Sequence, residues 1–105
     1  MITVTFCSRG ETLAGFTVAG HSGYAAAGSD IVCASVSSCA LMVANTVTDV
    51  MRLKAHAEAD DSGFLRLEIL GSPEPAQDLL RGFRLHMPEL AKDYPQYVLC
   101  KTIQL

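Results

Sequence analysis

One long apolar segment in the middle of the chain restricts the fold more than any other feature. Residues 31–50 are mostly apolar, and valines recur in them at spacings of three and four, the periodicity of one helix face. Ser29 or Asp30 is a good N-cap, so the pattern predicts a helix over residues 29–51. The serines, threonines and asparagine within it indicate a helix too polar to span a bilayer. The predicted buried stripe consists of Val32, Val36, Cys39, Val43, Val47 and Val50.

A second face of the same helix carries small side chains. Cys33, Ser37, Ala40 and Ala44 follow one another at helical spacing beside the valine stripe. β-Branched valines are mediocre helix formers, so tertiary packing rather than intrinsic propensity must hold this helix. The small-residue face would let another backbone or a peptide approach closely.

The segments on both sides of this helix alternate between apolar and polar residues, which predicts strands. Strands are expected at residues 2–7, 13–19, 52–60, 65–69 and 97–103. A second amphipathic helix is expected to begin at the cap Ser72, and Pro88 should kink or split it near Arg84. The order β-β-α-β-β-α-β predicts an α+β domain: an antiparallel or mixed five-stranded sheet with two helices packed on it.

Composition restricts the classes of function. The 105 residues suffice for a single domain, and the net charge of −3 argues against a nucleic-acid-binding surface. The first residues alternate like a strand and lack the features of a signal peptide, so a cytoplasmic protein is expected. The four cysteines include no C-x-x-C pair, which argues against a disulfide framework and a metal site. We expect no metal and no cofactor.

Residues 20–33 combine a histidine, a glycine-containing loop and a cysteine. His21 follows the second predicted strand and has small neighbours, which leave its imidazole accessible. Cys33 is predicted in the first helical turn, where the helix dipole favours a thiolate. There the backbone N–H groups of Cys33 and Ala34 would receive the oxyanion of a tetrahedral intermediate. A histidine within reach would accept the thiol proton and later protonate a leaving amine.

Each of these residues also has an ordinary structural interpretation. Most cysteines of cytosolic proteins are inert packing residues, and a loop histidine is accessible by default. The glycine-containing loop is either a hinge or a simple connector. Asp30 either caps the helix or orients His21, and Ser37 is a further candidate for an orienting or capping role. The other thiols and histidines are favoured as core or surface residues: Cys7, Cys39, Cys100, His56 and His86.

These residues together resemble a known family, the ribosomal-processing cysteine proteases called Prp. The matching residues are Gly20-His21, Gly28, the Asp-Ile-Val-Cys-Ala sequence at 30–34, and Val36-Ser37. Weaker matches occur at residues 63–65, 82–83 and 94–97, so the resemblance spans nearly the whole chain. Ser22 stands where many relatives have alanine, and this difference leaves both His21 and Cys33 in place.

The resemblance implies a dimeric cysteine endopeptidase that removes the N-terminal extension of bacterial large-subunit ribosomal protein twenty-seven. In such an enzyme Cys33 would be the nucleophile, forming a thioester, and His21 the general acid and base. A loop that includes Ser22, Gly23, Tyr24 and Gly28 would shape the peptide cleft. The partners implied are the peptide substrate and a second subunit, with no nucleic acid and no membrane. The alternatives are a non-catalytic ribosome-associated module and a thiol redox sensor that uses Cys33.

Overall fold

The computed structural model describes residues 1–20 and 27–105, with the backbone alone at residues 27–30. In this part of the chain, five strands form one sheet and two α-helices cover it. The order β-β-α-β-β-α-β is as predicted from the sequence. The strands are β1 (Ile2–Arg9), β2 (Thr12–Ala19), β3 (Ala55–Ala59), β4 (Leu65–Ile69) and β5 (Val98–Gln104). The helices are α1 (Ala27–Asn45) and α2 (Gln77–Asp93).

The sheet is mixed, with the strand order β3-β4-β2-β1-β5. β1 pairs with β5 in parallel, whereas its pairing with β2 and the pairings of β4 are antiparallel. Period-two alternation places the large apolar side chains of neighbouring strands on one face, where both helices pack. Phe83 of α2 meets the rings of Phe6 and Phe16 edge-on, with centroids 5.5 and 4.7 Å away, at the centre of this core.

Helix α1 begins earlier than its sequence predicts. Its first residue is Ala27, so Ser29 and Asp30 lie inside the first turn instead of capping it, and the predicted N-cap is wrong. At its other end the chain continues into a π-helical turn, Thr46–Val50, where a wider hydrogen-bond ring replaces the α-helical one.

The buried stripe of α1 also differs from the prediction at four positions. Val50 is 76% exposed and Cys39 is half-buried, while Ala40 and Ala44 are fully buried. The two alanines are small enough to let the helix approach the sheet closely. The remaining stripe valines are buried as predicted: Val32, Val36, Val43 and Val47.

The segment Ile31–Val50 is long and apolar enough, by length and composition, to cross a membrane. The prediction that it is too polar to do so therefore does not hold on composition. In the folded chain its apolar residues have another place: Val36, Ala40 and Val47 are completely buried in the core between α1 and the sheet.

Strand β3 is shorter than the alternation of residues 52–60 suggests. Arg52 has φ 55°, the left-handed region, which ends the preceding helical turn and is incompatible with a continuing strand. The Leu53 N–H group donates to the Val47 carbonyl oxygen at 3.0 Å, so it completes the helix end instead of pairing in the sheet. β3 therefore begins only at Ala55.

The second helix corrects two further expectations. It is preceded by a 3₁₀ turn, Glu74–Ala76, so Ser72 does not cap it. It also runs unbroken through Pro88, so the split predicted near Arg84 is absent, and the alternative of a kink there stays a prediction. The proline ring is exposed, and Met87 beside it is completely buried. Packing of the helix on the core therefore outweighs the missing hydrogen bond.

Gln77, the first residue of α2, ties that helix to an irregular point in β2. Cys7 pairs with Gly15 and Ser8 with Leu13, so Ala14 is an extra residue, a β-bulge. The pairing of β2 with β4 ends at Gly15 and does not reach Leu13. There the Leu13 N–H donates to Gln77 Oε1 at 2.9 Å, and Gln77 Nε2 donates to the Leu13 carbonyl oxygen at 2.8 Å. The buried Gln77 amide thus substitutes for a neighbouring strand.

Candidate functional site

Cys33 lies at the edge of a cleft between α1 and the sheet. Its side chain is half-buried, and Ser37 lies one helical turn further along the same side of α1. The cleft has a volume of about 210 Å³. The described residues that line it come from β1, β2, the residue just after β2, α1 and the β3–β4 turn: Ile2, Val18, Gly20, Cys33, Ser37, Asp61, Ser62 and Gly63.

Gly20 fixes the backbone one residue before His21. Its φ is +83°, which a residue with a Cβ rarely adopts, and a Cβ there would collide with the Met1 carbonyl oxygen. Glycine is therefore required where the chain leaves β2 beside the cleft. Four predicted site residues lie outside the described residues: His21, Ser22, Gly23 and Tyr24. Gly28, the fourth loop residue predicted, belongs by its backbone to the first turn of α1.

The β3–β4 turn forms a wall of the cleft that sequence reasoning did not assign to the site. The Asp60 carboxylate accepts hydrogen bonds from the Ser62 N–H at 2.8 Å, the Ser62 hydroxyl at 2.5 Å and the Phe64 N–H at 3.3 Å. These bonds, from the Ser62 hydroxyl above all, hold the pKa of the exposed Asp60 carboxyl below its ordinary value. Their sequence signal is an aspartate whose side chain can bond two residues ahead in a turn.

The position of Cys33 within α1 differs from the prediction. The helix dipole acts most strongly in the first turn of a helix. Because α1 begins at Ala27, Cys33 is its seventh residue and lies beyond that turn. The N–H groups without an intrahelical partner belong to the first turn of α1, which precedes Cys33. An oxyanion role for the N–H groups of Cys33 and Ala34 would require both to leave their intrahelical partners, and it stays a prediction.

Asp30 and Ser37 occupy interior positions of α1, so neither is its N-cap. Ser37 lines the cleft together with Cys33, which is compatible with an orienting role. The orienting role of each residue stays a prediction.

The other three cysteines lie in environments that disfavour a thiolate. Burial raises the pKa of the Cys39 and Cys100 thiols, and burial is also the main cause of the raised pKa of Cys7. A thiol with a raised pKa is a poorer source of the nucleophilic thiolate. Among the side chains of residues 1–20 and 31–105, no three histidine, cysteine or acidic groups lie together so as to hold a metal ion.

Comparison with solved structures finds the same fold in bacterial proteins. SMU.848 from Streptococcus mutans superimposes with a TM-score of 0.87 at 29% sequence identity, over 100% of this chain and 96% of that chain. The essential ribosomal processing protease Prp from S. aureus, in complex with a substrate peptide, gives a TM-score of 0.86 at 20% identity, over 98% of this chain and 100% of that chain. No curated protein has significant sequence similarity to the chain.

The sequence itself matches a family model described as "Cysteine protease Prp" over residues 1–99. The match extends from β1 into β5, so it includes the cleft, the β3–β4 turn and the helix that carries Cys33. The chain therefore belongs to the Prp family of cysteine proteases.

Proposed function

We propose that this protein is a cysteine endopeptidase that removes the N-terminal extension of bacterial large-subunit ribosomal protein twenty-seven. The observation that carries the proposal is the cleft in which Cys33 lies, within a chain of the Prp family. Further support comes from the S. aureus protein of the same fold, an essential ribosomal processing protease whose structure includes a substrate peptide.

Cys33 is the nucleophile in this proposal, and His21 is the general acid and base. The Cys33 sulfur attacks the scissile carbonyl carbon while its proton passes to the His21 imidazole. A carbon–sulfur bond forms, the carbon–nitrogen bond breaks, and His21 protonates the leaving amine. Water then attacks the thioester carbonyl carbon while His21 accepts a proton from it. A carbon–oxygen bond forms, the carbon–sulfur bond breaks, and His21 returns the proton to the Cys33 sulfur. The S. aureus protease has been solved with a covalently linked product peptide, which supports an acyl-enzyme step.

The proposal also includes a peptide-binding loop, a cytoplasmic location and a homodimer. In this proposal Ser22, Gly23 and Tyr24, together with Gly28 at the start of α1, contact the peptide and shape the cleft. The enzyme acts in the cytoplasm, where the ribosomal protein is made, and it works as a homodimer. Sedimentation equilibrium of the purified protein tests the dimer, and a mass of one chain contradicts it.

The direct test is cleavage of a synthetic peptide that spans the junction between the extension and the mature ribosomal protein. The wild type should release two products, identified by mass spectrometry, and a rapid quench should trap an intermediate heavier than the enzyme by the acyl fragment. Cys33→Ala should abolish both cleavage and the adduct. His21→Ala should abolish cleavage, because no group then accepts the thiol proton.

Cys39→Ala is the matched control for these variants. Cys39 is also a half-buried thiol of α1, outside the cleft that holds Cys33, so its removal should leave cleavage intact. Cleavage by Cys33→Ala, or an intact peptide after incubation with the wild type, contradicts the proposal. Peroxide-dependent modification of Cys33 without peptide turnover would favour a redox sensor instead.

A further inference from the structure

The cleft at Cys33 continues as a groove along α1, away from the first turn of that helix. A second hollow of about 190 Å³ shares Val18, Ser37 and Gly63 with the Cys33 cleft. A third hollow of about 130 Å³ shares residues of α1, β3 and β4 with the second: Leu41, Ala59 and Leu65. The three hollows therefore form one groove between α1 and the β3–β4 hairpin.

Small side chains keep the far end of this groove open. Ala44 of α1 faces Ala57 and Ala59 of β3 across the third hollow. Ala57 pairs with Leu67, whose side chain is buried on the helix-covered face, so the Ala57 side chain also points toward α1. A larger side chain at this position would fill the groove.

The dimensions of the groove suit an extended peptide. From Cys33 to Asn45 the helix advances 12 residues, or about 18 Å at 1.5 Å per residue. An extended chain rises about 3.3 Å per residue, so the groove accommodates about five residues in addition to those at the scissile bond.

The chemistry of the groove selects its occupant. The walls of the second hollow are apolar, with Val18, Leu41 and Phe64 facing it. Asp60 and Asp61 lie at the hairpin end, and none of the described residues that line the three hollows is basic. A segment with apolar side chains and a basic residue near the hairpin therefore complements the groove better than an acidic or purely polar one.

We propose that this groove binds the part of the substrate remote from the scissile bond, as an extended segment with apolar side chains directed toward α1. The inference rests on the proposed function, because continuity with the Cys33 cleft is what identifies the occupant as substrate. Binding energy from such a remote segment supports turnover by holding the scissile bond at the nucleophile.

The test separates binding in the groove from cleavage. The probes are two fluorescently labelled peptides: the full junction peptide and a version cut to about two residues on each side of the scissile bond. Affinities are measured by anisotropy with the Cys33→Ala protein, which cannot form the thioester. Two further variants are made in the Cys33→Ala protein. Ala57→Phe places an aromatic ring in the third hollow, and His56→Phe is the matched control. His56 is the neighbouring residue of β3, pairs with Glu68, and points to the opposite face.

Ala57→Phe should weaken binding of the full peptide at least tenfold and abolish its advantage over the short peptide. His56→Phe should preserve that advantage, and urea midpoints identify any variant that has lost stability. The groove proposal is overturned if the full peptide binds the Cys33→Ala protein equally tightly with and without Ala57→Phe. This outcome counts against it whether or not the wild type cleaves. Groove-dependent binding without cleavage by the wild type overturns the proposed function alone.

Discussion

Replacement of Gln77 by leucine should destabilise the protein, because it removes buried hydrogen bonds at the start of α2. The Gln77 amide is buried and exchanges two hydrogen bonds with the backbone of Leu13, a residue 64 positions away in the chain. A third bond runs from Nε2 to the Pro73 carbonyl oxygen at 2.9 Å. Leucine has a similar volume but can neither donate nor accept.

The magnitude follows from the groups that leucine leaves without partners. The two bonds between Gln77 and the Leu13 backbone are buried. Because β4 does not extend opposite Leu13, no strand offers these backbone groups another partner. Each buried polar group without a partner costs about 1–3 kcal/mol. The Pro73 carbonyl is nearer the surface, where water can replace Nε2. The expected loss in the free energy of unfolding is therefore about 3 kcal/mol.

Urea denaturation followed by circular dichroism measures this loss, with an unchanged m-value as the sign that two-state unfolding is preserved. Gln104→Leu is the matched control. Gln104 Oε1 also accepts a backbone hydrogen bond in the β1–β2 hairpin, from the Gly10 N–H at 3.1 Å. That bond is exposed, so its loss should cost less than about 0.5 kcal/mol. The reasoning is refuted if the two variants have the same urea midpoint.

Four other substitutions test separate features by the same measurement. Gly20→Ala should lower the free energy of unfolding by about 1–3 kcal/mol, because φ is positive at Gly20 and the added Cβ would collide with the Met1 carbonyl oxygen. Gly82 lies inside α2 with open space around it, so Gly82→Ala should raise the free energy of unfolding by about 0.5–1 kcal/mol. A Gly20→Ala protein as stable as Gly82→Ala contradicts this account. Pro88→Ala should stabilise the protein by about 1–3 kcal/mol, since an exposed proline is replaced and a helix hydrogen bond becomes possible; a lower urea midpoint would show that Pro88 contributes packing. The pKa of Asp60 is lowered in the folded protein, so its stabilising contribution is present above the unfolded pKa and is lost as pH falls through the folded pKa. Asp60→Ala should therefore lose less stability than the wild type over this acid range, and parallel pH profiles would exclude the effect.

The strands and the element order were predictable because period-two alternation is imposed by the pleat. Residues such as Phe6, Val18 and Leu67 have to lie on one face of the sheet if that face is to be buried. The alternation of apolar and polar residues along each strand predicts which residues share that face. The helical spacing of the valines in α1 is equally direct. These signals are local and repeated, so the errors of single residues average out.

The start of α1 and the integrity of α2 were not predictable in the same way. Ser29 and Asp30 are good caps, but an aspartate is also favourable within a first turn, so local chemistry does not choose between the two positions. Pro88 breaks helices in isolation, yet burial of Met87 beside it is decided by the whole core. Gln77 gave no signal, since its partner is distant in the chain and glutamine is usually exposed.

In the candidate site, the sequence pointed to Cys33 but not to the walls of its cleft, and the role of Cys33 as nucleophile stays a prediction. Cys33 could be singled out from its helix, its small neighbours and the family resemblance. The turn after Asp60 was expected, but its position beside Cys33 depends on the sheet order, in which β4 lies next to β2. Sheet order is set by long-range pairing, which the alternation of a single strand does not encode.

The parallel pairing of β1 with β5 links the completion of the sheet to the timing of protein synthesis. Ile2 faces Val98, so β1 keeps one unpaired backbone edge until β5 has been made. About 78 residues separate the end of β2 from the start of β5, which at 5–20 residues per second corresponds to about 4 to 16 s. During that interval the nascent chain carries an open strand next to the ribosome. The speed of translation through residues 20–97 therefore sets how long this edge is exposed to other chains.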